Sequence, residues 1–152
     1  MNTISDHSSV EDMENLLGKW KLKENIRFSQ FLSFTQLPWY QIQVANYSSI
    51  ELQLNKISDM KYSKKVESMF YNVDHIININ NTYKECNDGK KIKYHIKNKK
   101  IITDIIGTIV NWQEIISYKQ PHLEIEYVWK EVDGEGNSTT KTAKQIFESK
   151  TD

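Results

Sequence analysis

Leu123-Glu-Ile-Glu-Tyr-Val-Trp129 carries the clearest strand pattern in the chain. Apolar and charged side chains alternate along it, so that Leu123, Ile125 and Tyr127 fall on one face and the two glutamates on the other. A period of two is typical of an antiparallel strand with one buried and one solvated face. The segment therefore predicts a sheet whose apolar row lines an interior.

A second arm, Lys141-Thr-Ala-Lys-Gln-Ile-Phe-Glu148, follows the turn segment Asp133-Gly-Glu-Gly-Asn137. Together the two arms predict a hairpin, because turn residues separate two runs of strand-forming side chains. In the second arm Gln145 and Phe147 share one face. If the apolar row of the first arm lines an interior, Gln145 is expected to face the same interior.

The same alternation recurs in short segments along most of the chain. It is seen from Trp20 to Leu22, from Ile50 to Leu54 and from Ile92 to Ile96. Asp88-Gly89 is the strongest hairpin signal, since this pair accepts the positive φ of a tight turn. About ten short strands separated by turns favour a barrel or a sandwich, and a barrel of that many strands is wide enough to enclose a cavity.

After the first strand the apolar side chains change to helical spacing. Phe28, Phe31 and Leu32 lie three and four residues apart, which predicts a short helix, with Asn25 as a candidate cap. Pro38 marks the start of a second short helix. Since helices this short are not stable alone, both are expected to lie against the sheet.

The charges limit the class of partner. The chain has 20 lysines and arginines and 20 aspartates and glutamates, so no net charge draws it to nucleic acid. Arg27 is the only arginine, which excludes a paired-arginine site for a carboxylate. Cys86 is the only cysteine, so no disulfide can form within the chain, and a reducing compartment, the cytoplasm, is expected.

The chain is expected to contain one domain. Residues 1–13 are polar and predict a flexible N-terminal extension without a signal-peptide pattern, and residues 14–152 are expected to fold as a unit. His75 and His95 lie on predicted strands without metal-ligand spacing. The sequence also has no identifiable set of nucleophile and base and no glycine-rich phosphate loop. We therefore expect no catalytic residue, no metal and no cofactor.

Several short motifs follow one another in the order typical of one family. The chain resembles the intracellular lipid-binding proteins, which include the fatty-acid-binding and cellular retinoid-binding proteins, in Gly18-Lys-Trp-Lys-Leu22, Glu67-Ser-Met-Phe-Tyr-Asn72 and Asp88-Gly-Lys-Lys91. The resemblance implies an all-β fold: a ten-stranded, up-and-down antiparallel, clam-like β-barrel of the lipocalin-like (calycin) type with a helix-turn-helix lid. It also implies a cytoplasmic monomer that carries one hydrophobic small molecule and contacts membranes transiently through the lid.

The residues at the head-group positions differ from those of fatty-acid carriers. Such carriers hold a carboxylate with Arg-x-Tyr on the last strand and an arginine two strands earlier. By the resemblance, Gln145 and Phe147 take the first two positions, and Glu114 or Ile116 takes the third. The run Lys144-Gln-Ile-Phe147 instead resembles the last strand of the cellular retinol-binding proteins. A glutamine can donate to and accept from a hydroxyl, but it compensates a buried carboxylate poorly, so we expect a neutral or weakly polar head group.

The candidate ligand-binding residues are expected to line the cavity and its entrance. They are Phe28, Phe31, Phe70, Ile77, Ile79, Tyr94, Glu114, Ile116, Ile125, Tyr127, Gln145 and Phe147. For any one of the apolar residues, ordinary core packing is the alternative. A second possible function is a protein of the same fold that has lost ligand binding and acts as a protein-interaction module. A cavity filled by the protein's own aromatic side chains would indicate that function. An enzyme or haem protein on a similar barrel ranks last.

Overall fold

A computed structural model describes residues 13–38, 41–43, 45, 49–69 and 72–150 of the chain. Ten antiparallel strands form one sheet that curls into a half-barrel, accompanied by short helices. The all-β, up-and-down architecture predicted from the sequence is therefore confirmed.

The strands follow one another along the chain and across the sheet. They are β1 (Gly18–Ile26), β2 (Ile50–Ser58), β3 (Lys61–Ser68), β4 (Asn72–Asn78), β5 (Lys84–Glu85), β6 (Lys91–Lys97), β7 (Lys100–Ile106), β8 (Asn111–Lys119), β9 (His122–Val132) and β10 (Ser138–Ser149). The order across the sheet is β4-β3-β2-β1-β10-β9-β8-β7-β6-β5. The first strand thus lies between β2 and the last strand, while β4 and β5 form the two edges.

The hairpin turns follow from local sequence. Gly89 in the predicted turn between β5 and β6 has a φ of 91°, a conformation that glycine adopts without steric cost. Asn98 and Lys99, between β6 and β7, both have positive φ, as a two-residue type I′ turn requires. Between β9 and β10, the Asp133 carboxylate accepts hydrogen bonds from the backbone N–H groups of Glu135 and Asn137, at 2.8 and 2.9 Å. These bonds hold the longer hairpin closed.

The core lies on the inner face of the half-barrel. Alternate side chains of β2, β9 and β10 contribute Leu52, Leu54, Leu123, Ile125 and Phe147, each at most 3% exposed. The intervening glutamates and lysines of β9 and β10 lie on the outer face, as the alternation predicts. Trp20 belongs to this core, and its indole N–H donates to the carbonyl oxygen of Leu16 at 2.9 Å.

Two short helices flank β1. A 3-10 helix, Met13–Leu16, precedes the strand, and α1, Phe28–Phe34, follows it. Residue Arg27, with a φ of 54°, forms the N-cap of α1, and its Nε donates to the carbonyl oxygen of Thr142 on β10 at 3.0 Å. The predicted Asn25 cap is wrong, because β1 continues through Ile26.

A register shift between Leu22 and Glu24 explains where Asn25 goes. Before the shift, Leu22 lies opposite Phe147, and after it Asn25 lies opposite Gln145. One extra residue in a strand moves the following side chains to the opposite face. Asn25 therefore faces the interior, where the simple alternation of β1 would have placed Glu24.

Part of the predicted helical lid and extension lies outside the described residues. Residues 41–43 and 45 are helical, after Pro38 as predicted. Met13, which we assigned to the flexible extension, is 1% exposed and packs in the core, so this residue belongs to the folded part of the chain. Residues 1–12 and the candidate wall residue Phe70 lie outside the described part of the chain.

Candidate functional site

A cavity of about 180 Å³ lies on the inner face, between α1, the sheet edge formed by β2, β3 and β4, and the last two strands. Its wall consists of Phe28, Ile50, Leu52, Lys64, Val66, Val73, His75, Ile125, Tyr127, Gln145 and Phe147. Seven of these side chains are hydrocarbon, and four carry polar groups. The cavity is thus an apolar enclosure with a few hydrogen-bonding groups, as is common for small-molecule sites.

Gln145 supplies a neutral hydrogen-bonding group within this cavity. It is 4% exposed, and its Oε1 accepts from the Tyr127 hydroxyl at 2.6 Å while its Nε2 donates to Asn25 Oδ1 at 3.2 Å. A primary amide has two N–H donors and an oxygen with two lone pairs. These two bonds orient the amide and leave it the capacity to bind a ligand hydroxyl.

An ion pair crosses the interior beside the cavity. Lys64 Nζ on β3 lies 3.7 Å from Glu114 Oε2 on β8, and their side chains are 17% and 19% exposed. Four strands separate β3 from β8 in the sheet order, so only the curl of the sheet brings the two charges together. Trp112 donates its indole N–H to Glu114 Oε1 at 3.4 Å.

The charges of this pair shift the pKa values of two neighbouring side chains. Partial removal from solvent and the neighbouring Lys64 cation lower the pKa of His75, an exposed residue that lies directly opposite Lys64 in the β3–β4 ladder. Burial and the negative charge of Glu114 raise the pKa of Tyr94 to about 12. Around neutral pH, His75 and Tyr94 are therefore both uncharged.

Aromatic rings from α1 fill the part of the interior next to the cavity. The ring of Phe31 stacks on Tyr127 with centroids 4.5 Å apart and contacts Trp112 and Trp129 at 5.7 and 5.6 Å. Phe28 packs on Tyr127 at 5.3 Å. This aromatic cluster, defined by Phe28, Phe31, Trp112, Tyr127 and Trp129, limits the space that a ligand can occupy.

A larger and more open groove, of about 700 Å³, lies at the rim near the β7–β8 connection. Its wall mixes apolar residues such as Phe34 and Ile109 with outer-face residues such as Asp104 and Gln113, which hydrogen-bond each other at 2.7 Å. The smaller cavity is the better candidate site, because it combines apolar enclosure with the buried Gln145 amide.

The sequence-predicted site residues divide into three groups. Phe28, Ile125, Tyr127, Gln145 and Phe147 line the cavity together. The second group is packed elsewhere on the inner face: Phe31, Ile77, Ile79 and Ile116 are buried in the core, Glu114 is a member of the ion pair, and Tyr94 is partly buried beside it. The third group is Phe70 alone, which is not among the described residues. Glu114 and Ile116 both face inward, and Glu114 is the polar member.

Three functional candidates were missed in the sequence. Lys64 and His75 had an available signal, since Lys64 alternates with Tyr62 and Val66 on β3. His75 likewise alternates with Val73 and Ile77 on β4, so both fall on the inner face. Lysine is a poor candidate for an inner-face position, because lysines usually lie on solvated faces. Asn25 had no such signal, because its orientation depends on the register shift in β1.

Across the described residues, no helix has the length and apolar character needed to cross a membrane. Within the same part of the chain, no group of three or more His, Cys, Asp or Glu side chains is arranged to hold a metal ion.

Comparison with known proteins identifies the architecture. The chain matches the crystal structure of wild-type UnaG, a fluorescent protein, with a TM-score of 0.75 at 13% identity, over 90% of this chain and 98% of UnaG. It matches a Schistosoma mansoni fatty acid binding protein, in complex with arachidonic acid, with a TM-score of 0.73 at 17% identity, over 92% and 99% of the two chains. The fold is that of the fatty-acid-binding proteins.

A further structure with the same fold also matches this chain. Apo Caenorhabditis elegans lipid binding protein 8 has a TM-score of 0.73 at 16% identity, over 91% of this chain and 97% of its own. No protein-family model and no curated protein sequence matches the chain. At these identities the structural matches establish the fold, and the chemistry of the site has to be argued from this chain's own residues.

Proposed function

We propose that the protein is a carrier that binds one small hydrophobic ligand with a neutral or weakly polar head group in the 180 Å³ cavity. The observation that carries this proposal is the Tyr127–Gln145–Asn25 hydrogen-bond chain, a neutral polar group set into an apolar wall. The structural neighbours include a fatty acid binding protein and a lipid binding protein, which supports a lipid-carrier role in general.

The cavity volume sets the size of the ligand. Pockets that enclose drug-sized ligands have volumes of about 300–1,000 Å³, so 180 Å³ suits a shorter molecule. Burial of a chain of about eight carbons contributes roughly 6 kcal/mol at ~0.8 kcal/mol per methylene, against about 1 kcal/mol for a neutral hydrogen bond. Chain burial therefore provides most of the affinity, and the hydrogen bond to Gln145 contributes to the preference for a neutral head group.

The absence of an arginine clamp supports the neutral head group. The one arginine of the sequence, Arg27, donates to Thr142 beside α1. The inner cation Lys64 is paired with Glu114. The resemblance to the retinol-binding proteins remains a prediction that depends on Gln145. The structural neighbours of this chain include fatty-acid-binding and lipid-binding proteins and UnaG.

The proposal includes a cytoplasmic monomer that is not an enzyme. The single cysteine, Cys86, suits a reducing compartment. Transient membrane contact through the lid is a further part of the proposal, and it follows from the family resemblance alone. Sedimentation of the purified protein tests the monomer, with a single species of about 18 kDa as the expected result.

A cavity-filling variant tests where the ligand binds. Val73 on β4 lines the cavity, whereas Ile76 on the same strand is 50% exposed. We expect Val73→Phe to weaken binding of the probe 1-octanol at least about tenfold, a loss of ~1.4 kcal/mol, and Ile76→Phe to leave it unchanged. The measurement is an NMR titration of isotope-labelled protein. Equal binding by both variants and the wild type would place the octanol outside the cavity and refute the proposal.

A second candidate function has an observation in its favour. The aromatic cluster around Phe31 occupies much of the interior, and a filled interior suits a protein-interaction module of the same fold that no longer binds ligand. The octanol titration separates the two functions. A wild-type protein that binds neither 1-octanol nor longer neutral lipids would favour the interaction module.

A further inference from the structure

Stability alone does not explain why the Lys64–Glu114 ion pair lies across the interior. Removing two charges from water is costly, and partly buried ion pairs often contribute little net stability compared with apolar side chains of similar size. The two side chains are nevertheless about four-fifths buried and meet across the inner face at 3.7 Å. Lys64 also lines the same cavity as Gln145, so the pair is placed where it can act on a ligand.

We propose that the Lys64–Glu114 pair selects the ligand head group, and that Glu114 makes the cavity reject carboxylic acids in favour of hydroxyl-bearing ligands. This inference rests on the proposed function, because it concerns the ligand of the same cavity. An unpaired lysine in an apolar cavity would attract an anionic head group strongly. Glu114 neutralises that lysine before any ligand arrives.

The chemistry of the pair distinguishes acids from alcohols. A carboxylate that approaches Lys64 must either displace Glu114 or lie beside it, and two carboxylates close together in a poorly solvated site repel each other. A hydroxyl can accept from the Lys64 ammonium and donate to the Glu114 carboxylate at once. The ligand class that this arrangement favours is therefore a neutral, hydroxylated amphiphile.

The neighbouring groups do not alter this charge balance. His75, opposite Lys64, has its pKa lowered by partial removal from solvent and by that lysine, and Tyr94 has its pKa raised to about 12 by burial and by Glu114. Both are uncharged around neutral pH. His75 and Tyr94 thus add no charge to the pair, and Lys90 and Asp74, which also act on His75, carry opposite charges.

Two probes with the same chain and different head groups test this inference. 1-Octanol and octanoate have the same chain length and differ in the head group, and the ratio of their dissociation constants at neutral pH reports selection. The variants are Glu114→Gln, which keeps the side-chain size and an acceptor for the Trp112 indole N–H, and the double variant Lys64→Met/Glu114→Gln, which removes both charges. If Glu114→Gln does not fold, Glu114→Met replaces it.

We expect Glu114→Gln to bind octanoate at least about tenfold more tightly relative to octanol than the wild type does, because it exposes an uncompensated lysine. The double variant should stay within about threefold of the wild-type ratio, since it offers no cation. A Glu114→Gln ratio equal to that of the wild type, with octanol binding intact, overturns the inference and leaves the proposed function standing. Wild-type protein that already prefers octanoate also overturns it.

A different set of binding results is expected if the proposed function is wrong. If no form of the protein binds octanol, the proposed carrier function fails, and octanoate alone then decides the inference. Binding of octanoate by Glu114→Gln, but not by the wild type or the double variant, supports the role of Glu114. Absence of octanoate binding in all three proteins overturns it.

Discussion

Truncation of Phe31 perturbs the point at which α1 enters the half-barrel. Its ring is 5% exposed and contacts Tyr127, Trp112 and Trp129. Burying a phenylalanine contributes about 1.5–3 kcal/mol by transfer alone, and Phe→Ala changes in cores cost about 3–5 kcal/mol once the cavity is included. We therefore expect Phe31→Ala to lower the free energy of unfolding by about 3–4 kcal/mol.

The control for this variant lies one turn further along the same helix. Phe34 is partly buried and its ring stacks on Trp129 at 5.6 Å, so Phe34→Ala should cost about 1 kcal/mol, the middle of the range for an aromatic contact. For a chain of this size, 1 kcal/mol shifts the melting temperature by about 2–4 °C. Phe31→Ala should melt roughly 10 °C below the wild type and Phe34→Ala only a few degrees below it.

Ligand binding gives this prediction a second readout. Removing the Phe31 ring enlarges the space next to the cavity, so Phe31→Ala should accept longer neutral chains than the wild type does, despite its lower stability. Urea unfolding followed by tryptophan fluorescence measures the stability, and NMR titration with neutral lipids measures the binding. A loss below about 1 kcal/mol, or equal losses for both variants, would refute the placement of Phe31 in the interior.

Three further predictions concern single side chains. Arg27 has a φ of 54°, so Arg27→Gly should be about 1 kcal/mol more stable than Arg27→Ala in urea unfolding, although both lose the bond to Thr142; equal stability would contradict this. The pKa of His75 is lower in the folded protein than the ordinary 6.5, so the unfolded chain takes up the proton first as the pH falls. The stability contributed by neutral His75 is present above about pH 6.5 and is lost as the pH falls towards the folded pKa, and His75→Gln should flatten the melting-temperature profile there. Gln145→Met should cost about 1–3 kcal/mol, because two buried hydrogen bonds lose their shared partner, and a neutral change in thermal unfolding would count against the hydrogen-bond chain.

Much of the fold could be predicted because its cause is local. The alternation of Leu123, Ile125 and Tyr127 with charged residues specifies which face of β9 is buried, and the glycine of Asp88-Gly89 specifies a turn. Strand register then follows from the alternation, since a slip of one residue would expose the whole apolar row. The inward position of Gln145 was predictable for the same reason.

The parts of the site that could not be predicted depend on the curvature of the sheet and on an irregularity in the pairing of β1. The contact between Lys64 and Glu114 joins strands that are not neighbours in the sheet, so no pattern within one strand reveals it. The inward turn of Asn25 depends on the register shift in β1. Helical spacing identified Phe28 and Phe31 as one face of α1, but it carries no information on how deeply that face enters the barrel.

The central prediction is that the interior of the protein encloses a small neutral molecule. Native mass spectrometry of the protein purified from its own cells, followed by extraction and identification of the released compound, tests this most directly. We expect one bound hydrophobic molecule per chain, with a hydroxyl or similarly neutral head group. A protein that carries free fatty acids, or one that is recovered without any bound molecule, would contradict the account.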